Sequence, residues 1–202
     1  MSVRLPTPVR QTLGEALIDA ARSAYASPGR HYHTWQHVQA CLKEAGTFTF
    51  DDPLTVYAAL LFHDAIYLAG AKDNEAQSAA LADQQLRLRT QFTPTQIARV
   101  RHLILLTASH DSLPADAPRD DQLLVDIDLG ILATPPAIYD QYATNVRLEW
   151  LPRVVTKAQY EAGRAAFLRR MLAAARIFHS AEFSARETIA RTNISRELAT
   201  LA

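Results

Sequence analysis

The strongest indication of the fold lies in residues 54–67, which read LTVYAALLFHDAIY. This stretch is apolar on nearly every face of a helix until it presents His63 and Asp64 side by side. A helix that is apolar all round is a central one, around which other helices pack. An imidazole and a carboxylate are costly to bury there unless both are paired, and a divalent cation satisfies both. The alternative is a hydrogen-bonded His-Asp pair within the core.

The rest of the chain is also dominated by helix signals. Three pairs place a capping side chain directly before a proline that suits a first helical turn: Asp52-Pro53, Thr93-Pro94 and Thr134-Pro135. Capping boxes are expected at Thr93 with Gln96, Thr156 with Gln159 and Ser184 with Glu187. We predict an all-α, multi-helix bundle with helices at 7–25, 34–46, 53–68, 74–90, 94–110, 120–132, 135–150, 157–178 and 185–200. Residues 111–120 are predicted to form a loop that borders the site or serves as an inert linker.

Composition limits the class of protein. The 202 residues, 49% of them hydrophobic, suit a single domain over 1–202 with one closed core. Basic and acidic residues number 21 each, so no net field draws the chain to a nucleic acid polymer or an anionic membrane. The single cysteine, Cys41, cannot form an internal disulfide, and no secretion signal or membrane-spanning apolar run is recognised. Cytoplasmic residence is therefore expected.

Two further segments supply potential metal ligands. Residues 30–37 gather three histidines, and His33 and His37 stand one helical turn apart. Near a helix start these histidines could equally be capping or surface residues. On the sixth predicted helix, Asp128 falls on the apolar stripe, whereas Asp126 points nearly the opposite way. An acid on a core face can complete a metal site, and a buried N-cap or salt bridge is the rival explanation.

The ordered set His37, His63-Asp64 and Asp128 resembles the signature of the HD superfamily of metal-dependent phosphohydrolases. That signature is a histidine, then a His-Asp pair, then a distant aspartate. Further motifs look like one bacterial branch of predicted phosphohydrolases in that superfamily: YHT at 32–34, Asn74-Glu75, Thr107 to His110, DIDL at 126–129, RLE at 147–149 and ARTN at 190–193. The resemblance covers most of the chain. It implies an HD-domain-like bundle of helices around a metal held by these four residues.

The same resemblance implies a reaction. Two histidines and two aspartates would hold Mn, Co, Mg, Ni, Fe or Zn and leave positions for water and substrate. We expect a metal-activated water to hydrolyse a phosphomonoester, a phosphodiester or a nucleotide phosphate. Asp64 would also orient the water, with Glu75 as an accessory acid or base, although Glu75 equally fits a first-turn acid that complements the helix dipole. His110 could reach the site as a proton donor or a second-metal ligand, or it could be a core histidine.

Phosphate binding requires cations, and Lys72, Arg147 and Arg164 are our candidates, because each lies near a segment that resembles the branch pattern. Any of them could instead be a surface or salt-bridging residue. His33 and its neighbours could hold His37 in place.

Two other functions fit the same residues. A metal-binding regulatory or scaffold protein would hold the ion without hydrolysis, and a diiron HD oxygenase would need additional ligands, for which His110 is the obvious candidate. For the leading function we expect a small phosphorylated substrate such as a nucleotide, no nucleic acid polymer and no membrane as partner, and a monomer or homodimer.

Overall fold

The computed structural model describes residues 5–110, 113–114 and 116–201. In these ranges the chain is all-helical and has no strand, which confirms the predicted fold class. The helices are α1 (Thr7–Ala24), α2 (Trp35–Ala45), α3 (Pro53–Phe62), α4 (Asn74–Arg89), α5 (Pro94–Leu106), α6 (Arg119–Leu129), α7 (Pro136–Trp150), α8 (Lys157–Ala173) and α9 (Glu187–Thr200). Two 3₁₀ segments, Gly130–Ala133 and Ala181–Arg186, precede α7 and α9.

Helix α3 is the central element that positions the site. Every residue from 55 to 62 is buried, and α3 packs against α1, α2, α4, α5 and α6. Each large apolar side chain buried here contributes about 1.5–3 kcal/mol to folding. The helix begins as the sequence predicts, with Pro53 in the first turn and the Asp52 carboxylate accepting a hydrogen bond from the Thr55 amide.

Helix α3 ends at Phe62, not at residue 68, so the prediction of its end is wrong. Distant side chains bind the backbone groups that further turns would use. The Arg30 guanidinium donates to the carbonyls of Asp64 and Ala65 at 2.7 Å, and the Ser78 hydroxyl bonds to both backbone groups of Ile66. As a result, His63 and Asp64 lie on the turn just beyond the helix.

Two of the three predicted capping boxes are confirmed, those that begin α5 at Thr93 and α8 at Thr156. The box predicted at Ser184 is wrong. The Ser184 hydroxyl donates to the Ala181 carbonyl inside the 3₁₀ segment, and the Glu187 carboxylate accepts the amides of Ile177 and Phe178 instead.

Other helix boundaries also differ from the predictions, since α5 ends at Leu106 instead of residue 110 and α6 ends at Leu129 instead of residue 132. Helix α7 begins at Pro136, and Thr134 does not cap it, because its hydroxyl donates to the Ile131 carbonyl. Helix α8 ends at Ala173, five residues before the predicted end. The Arg191 side chain donates to the carbonyls of Leu172 and Ala174 there, so these acceptors are satisfied without further helical turns.

Of the loop predicted at 111–120, residues 111, 112 and 115 lie outside the described residues, and α6 already begins at Arg119. Among the helices described, none combines the length and the apolar character needed to cross a membrane.

Candidate metal centre

Four predicted ligands meet where α2, α6 and the end of α3 converge. The Nε2 atom of His37, in the first turn of α2, lies 3.0 Å from His63 Nε2 and 3.0 Å from Asp128 Oδ1. His63 Nε2 lies 3.4 Å from Asp128 Oδ1. Asp64 Oδ2 lies 3.2 Å from His63 Nε2 and 3.5 Å from His37 Nε2. The sequence therefore brings together two imidazoles and two carboxylates that are far apart along the chain.

These distances fit the ligands of a single cation. Donor atoms about 2.0–2.2 Å from an ion, at angles between octahedral and tetrahedral values, lie about 2.8–3.6 Å from one another. The Nδ1–H of His63 donates to the Leu60 carbonyl at 3.0 Å, which leaves Nε2 as the lone-pair donor that faces the other ligands. Metal-binding histidines are commonly fixed in this way.

Cys41 is a further potential ligand, which sequence analysis treated only as a free thiol. It lies one turn after His37 on α2, and its Sγ is 3.8 Å from both ring nitrogens of His37. With His37, His63 and Asp128 it forms a cluster whose ligand atoms all lie within 4.8 Å of one another, and this cluster could hold a metal ion. In the sequence, the position of Cys41 four residues after His37 was the signal that both side chains lie on one face of the helix.

The cluster is strongly polarised. Burial, the largest single influence, raises the pKa of Asp64 and of Asp128, but the neighbouring histidines, His63 foremost, together outweigh it and lower both pKa values below the ordinary range. For His63, burial lowers the pKa, while Asp64 and Asp128 raise it well above its usual value. Both carboxylates are thus ionised near neutral pH, as metal ligation requires, whereas His63 has to release its Nε2 proton when a cation binds.

A cavity of about 210 Å³ opens beside the cluster, between the ends of several helices. Asp64 and Asp128 line it, together with Glu75 from the first turn of α4 and His110 from the turn after α5. His110 Nε2 lies 2.8 Å from Asp128 Oδ2. The structure therefore places both predicted accessory residues, Glu75 and His110, at the same cavity as the ligands.

The three predicted phosphate-binding residues lie in different settings. Arg164 lines the cavity, but its guanidinium is paired with the Glu197 carboxylate at 2.8 and 3.0 Å. Lys72 and Arg147 are exposed and do not line this cavity. Only Arg164 is brought to the site.

Glu149 is a residue near the site to which sequence analysis assigned no role, although it lies in the RLE motif at 147–149. Its Oε1 accepts the backbone amides of His31, Tyr32 and His33 at 2.8–2.9 Å, and its Oε2 lies 2.7 Å from His33 Nδ1. Burial raises the pKa of Glu149, but the hydrogen bonds from His33 and from these amides outweigh it and lower the pKa. An acid in the last turn of α7 opposes the helix dipole, and this was a signal that it has a specific partner.

The second acid of α6 has a separate role. Asp126 is fully buried and accepts hydrogen bonds from the His179 amide and from the amide and hydroxyl of Ser180. His179 in turn donates through Nε2 to the His110 carbonyl at 2.7 Å. Asp126 thus anchors the segment that holds the backbone of His110, while Asp128 faces the cluster.

The arrangement places ionised carboxylates and imidazole nitrogens at the distances expected between ligands of one cation. They lie next to a cavity lined by a further acid, Glu75, and a further base, His110. No protein-family model matches the sequence, and no curated protein matches it either.

Proposed function

We propose that the protein is a metal-dependent phosphohydrolase of the HD type, with His37, His63, Asp64 and Asp128 as the ligands of one divalent cation. Five of the six pairs among these ligand atoms lie 3.0–3.5 Å apart at the edge of a cavity, and this is the observation that carries the proposal. The order of the ligands along the chain, which resembles the HD signature, supports the same function.

Asp64 suits the fourth position better than Cys41 does. The Asp64 oxygen is 3.2 and 3.5 Å from the two imidazole nitrogens, whereas the Cys41 sulfur is 3.8 Å from His37. Burial, with Asp128 and Asp64 nearby, raises the pKa of the Cys41 thiol well above its usual value. Because a thiol binds metals as the thiolate, this environment disfavours sulfur ligation.

When bound, a divalent cation at this site would lower the pKa of a coordinated water and withdraw charge from a phosphoryl oxygen. Asp64 lines the cavity and is placed to orient the attacking water through its carboxylate. His110 fixes Asp128 by bonding to Oδ2, the oxygen that does not face His37 and His63. Glu75 at the cavity wall can accept the proton that the water loses.

The charges around the site favour a substrate with a single phosphate. A second cavity of about 760 Å³, lined by His37 and Asp128 among others, adjoins the first and can hold the remainder of a small substrate. Among the described residues that line the two cavities, both arginines are ion-paired, Arg164 with Glu197 and Arg186 with Glu44. Polyphosphate chains ordinarily need unpaired arginine or lysine side chains.

The experiment combines metal analysis with phosphate release. The purified protein would be assayed on a panel of phosphate esters and nucleotides with added Mn²⁺ or Co²⁺, and with a chelator. His63→Ala and Asp128→Asn are expected to lose both bound metal and activity. His102→Ala and Asp83→Asn are the matched controls, because His102 pairs with Asp121 and Asp83 with Arg87, and none of these side chains lines the cavity.

Phosphate release that requires the metal and disappears in both ligand variants would support the proposal. Metal that remains bound without turnover on any ester would favour a metal-binding regulatory protein instead. Oxygen uptake with bound iron would favour an oxygenase. Absence of bound metal in the wild type would contradict the ligand assignment itself.

A further inference from the structure

We propose that a cavity between α7 and α8 binds a small aromatic carboxylate at a site separate from the metal centre. The cavity has a volume of about 330 Å³, which falls in the range of small-molecule sites. It shares Val146, Arg164 and Phe167 with the cavity at the metal cluster, but none of the proposed metal ligands lines it. The inference therefore does not depend on the proposed hydrolase function.

The walls of this cavity favour an aromatic ring. Three aromatic side chains line it, Trp150 at the end of α7 and Tyr160 and Phe167 on α8, together with the aliphatic Val146 and Val155. Trp150 and Phe167 are only partly buried, so a ligand that covers them removes apolar surface from water. A ring gains more than an aliphatic chain against such walls, because aromatic pairs also attract through their edge and face charges.

Gly163 keeps one wall of the cavity open. It lies in the interior of α8, where glycine destabilises a helix more than any residue except proline. Its φ is not positive, so the backbone does not require glycine. A Cβ added at this position would meet no atom within 4 Å, so close packing does not require glycine either. Because Gly163 lines the cavity, we infer that its role is to leave room for a ligand.

Tyr160 offers the ligand a hydrogen-bond donor. The residue is 6% exposed, and no described residue makes a hydrogen bond to its hydroxyl. The hydroxyl is not among the atoms closed off from solvent, so a ligand can reach it. Burial is the largest influence on this group and raises the pKa of Tyr160 to about 12. The hydroxyl therefore stays protonated near neutral pH and can donate to a carboxylate oxygen.

Arg147 supplies a positive charge that matches one carboxylate. It is exposed and forms no ion pair with the described residues, and its charge reaches Tyr160, whose pKa it lowers against the effect of burial. Arg164 does not supply this charge, because the Glu197 carboxylate already pairs with its guanidinium at 2.8 and 3.0 Å. A ligand with one ring and one carboxylate thus fits the apolar walls, the hydroxyl donor and the single unpaired cation.

The test uses the two tryptophans of the chain. Trp150 lines the cavity, whereas Trp35 lies against Tyr25, with ring centroids 5.8 Å apart, and does not line it. In protein labelled with 5-fluorotryptophan, added 1-naphthoate should shift the fluorine resonance of Trp150 saturably and leave that of Trp35 unchanged. Trp150→Phe assigns the two resonances. A ligand of this size is expected to bind with a Kd of about 1 mM or tighter.

Gly163→Phe is the blocking variant. A helical side chain lies over the turn that precedes it, so the new ring would cover Gln159 and Tyr160, which both line the cavity. It should weaken 1-naphthoate binding by at least about 10-fold, because the apolar walls are then already covered. Gly163→Ala is the matched control, which adds one carbon and should keep the Kd within about threefold.

The contribution of the charge is tested separately. Arg147→Gln should weaken 1-naphthoate binding by about two- to fivefold, as expected for an exposed ion pair, and should not change the binding of the uncharged 1-naphthamide. Circular dichroism verifies that each variant is folded. If Gly163→Phe does not fold, Val155→Phe fills the same cavity from another residue of its wall.

Three results would overturn the site: no saturable shift of Trp150 up to about 5 mM 1-naphthoate, equal shifts of both tryptophans, or undiminished binding in a folded blocking variant. Equal affinity for 1-naphthamide would overturn the carboxylate, and tighter binding of octanoate than of 1-naphthoate would overturn the aromatic class. The metal-dependent reaction is tested independently, by metal content and phosphate release.

Discussion

Replacing Glu149 by alanine should destabilise the protein strongly, independently of any metal. The carboxylate accepts four hydrogen bonds of 2.7–2.9 Å, three from backbone amides and one from His33. Hydrogen bonds to a charged group contribute about 1.5–3 kcal/mol each. In the variant, donors that are partly exposed can bind water instead, which recovers part of this free energy. We therefore expect Glu149→Ala to lose about 3–5 kcal/mol, a large fraction of the about 5–15 kcal/mol that stabilises a typical domain.

Urea denaturation of the metal-free protein, followed by circular dichroism, measures this loss. With a slope of about 2 kcal/mol per molar urea, the midpoint should fall by about 1.5–2.5 M. Glu15→Ala is the control, since Glu15 is an exposed acid paired with Arg10, and it should change the free energy of unfolding by less than about 0.5 kcal/mol. A loss of under about 1 kcal/mol in Glu149→Ala would refute the view that Glu149 holds residues 31–33 in place.

Three further predictions concern Glu149, Arg164 and Cys41. The pKa of Glu149 is lowered in the folded state, so its contribution to stability is fully present above the ordinary glutamate pKa of about 4.3 and is lost as the pH falls through the lowered pKa. The melting temperature of Glu149→Gln should therefore fall less steeply with acid than that of the wild type. Arg164→Ala leaves the Glu197 carboxylate with the Tyr139 hydroxyl as a donor but without its ion-pair partner, and should cost about 3–5 kcal/mol in urea denaturation. The exposed Arg147→Ala should cost under about 0.5 kcal/mol. The thiol of Cys41 should react slowly with a thiol reagent in the native protein and rapidly in urea, and Cys41→Ala should keep its metal.

The sequence was informative wherever structure depends on neighbours along the chain. The apolar run at 54–62 identified the central helix, and the caps at Asp52, Thr93 and Thr156 located three helix starts. Helical periodicity also predicted that Asp128 and Asp126 point in different directions, and the structure places the two side chains in different surroundings.

Contacts between distant segments explain what could not be predicted. Helix α3 stops early because Arg30, which is 34 residues from Asp64, binds the carbonyls beyond its end. Glu149 is 116 residues from His33, so no local pattern indicates that the two are paired. The end of α8 depends in the same way on Arg191, a residue of another helix. Local propensity does not encode such pairings.

Calorimetric titration of the metal-stripped protein with Mn²⁺ tests whether the four ligands form a cation site. We expect binding of about one ion per chain in the wild type and in Cys41→Ala, and its loss in Asp64→Asn and Asp128→Asn. Binding that persists unchanged in Asp128→Asn, or that disappears in Cys41→Ala but not in Asp64→Asn, would contradict the proposed metal centre.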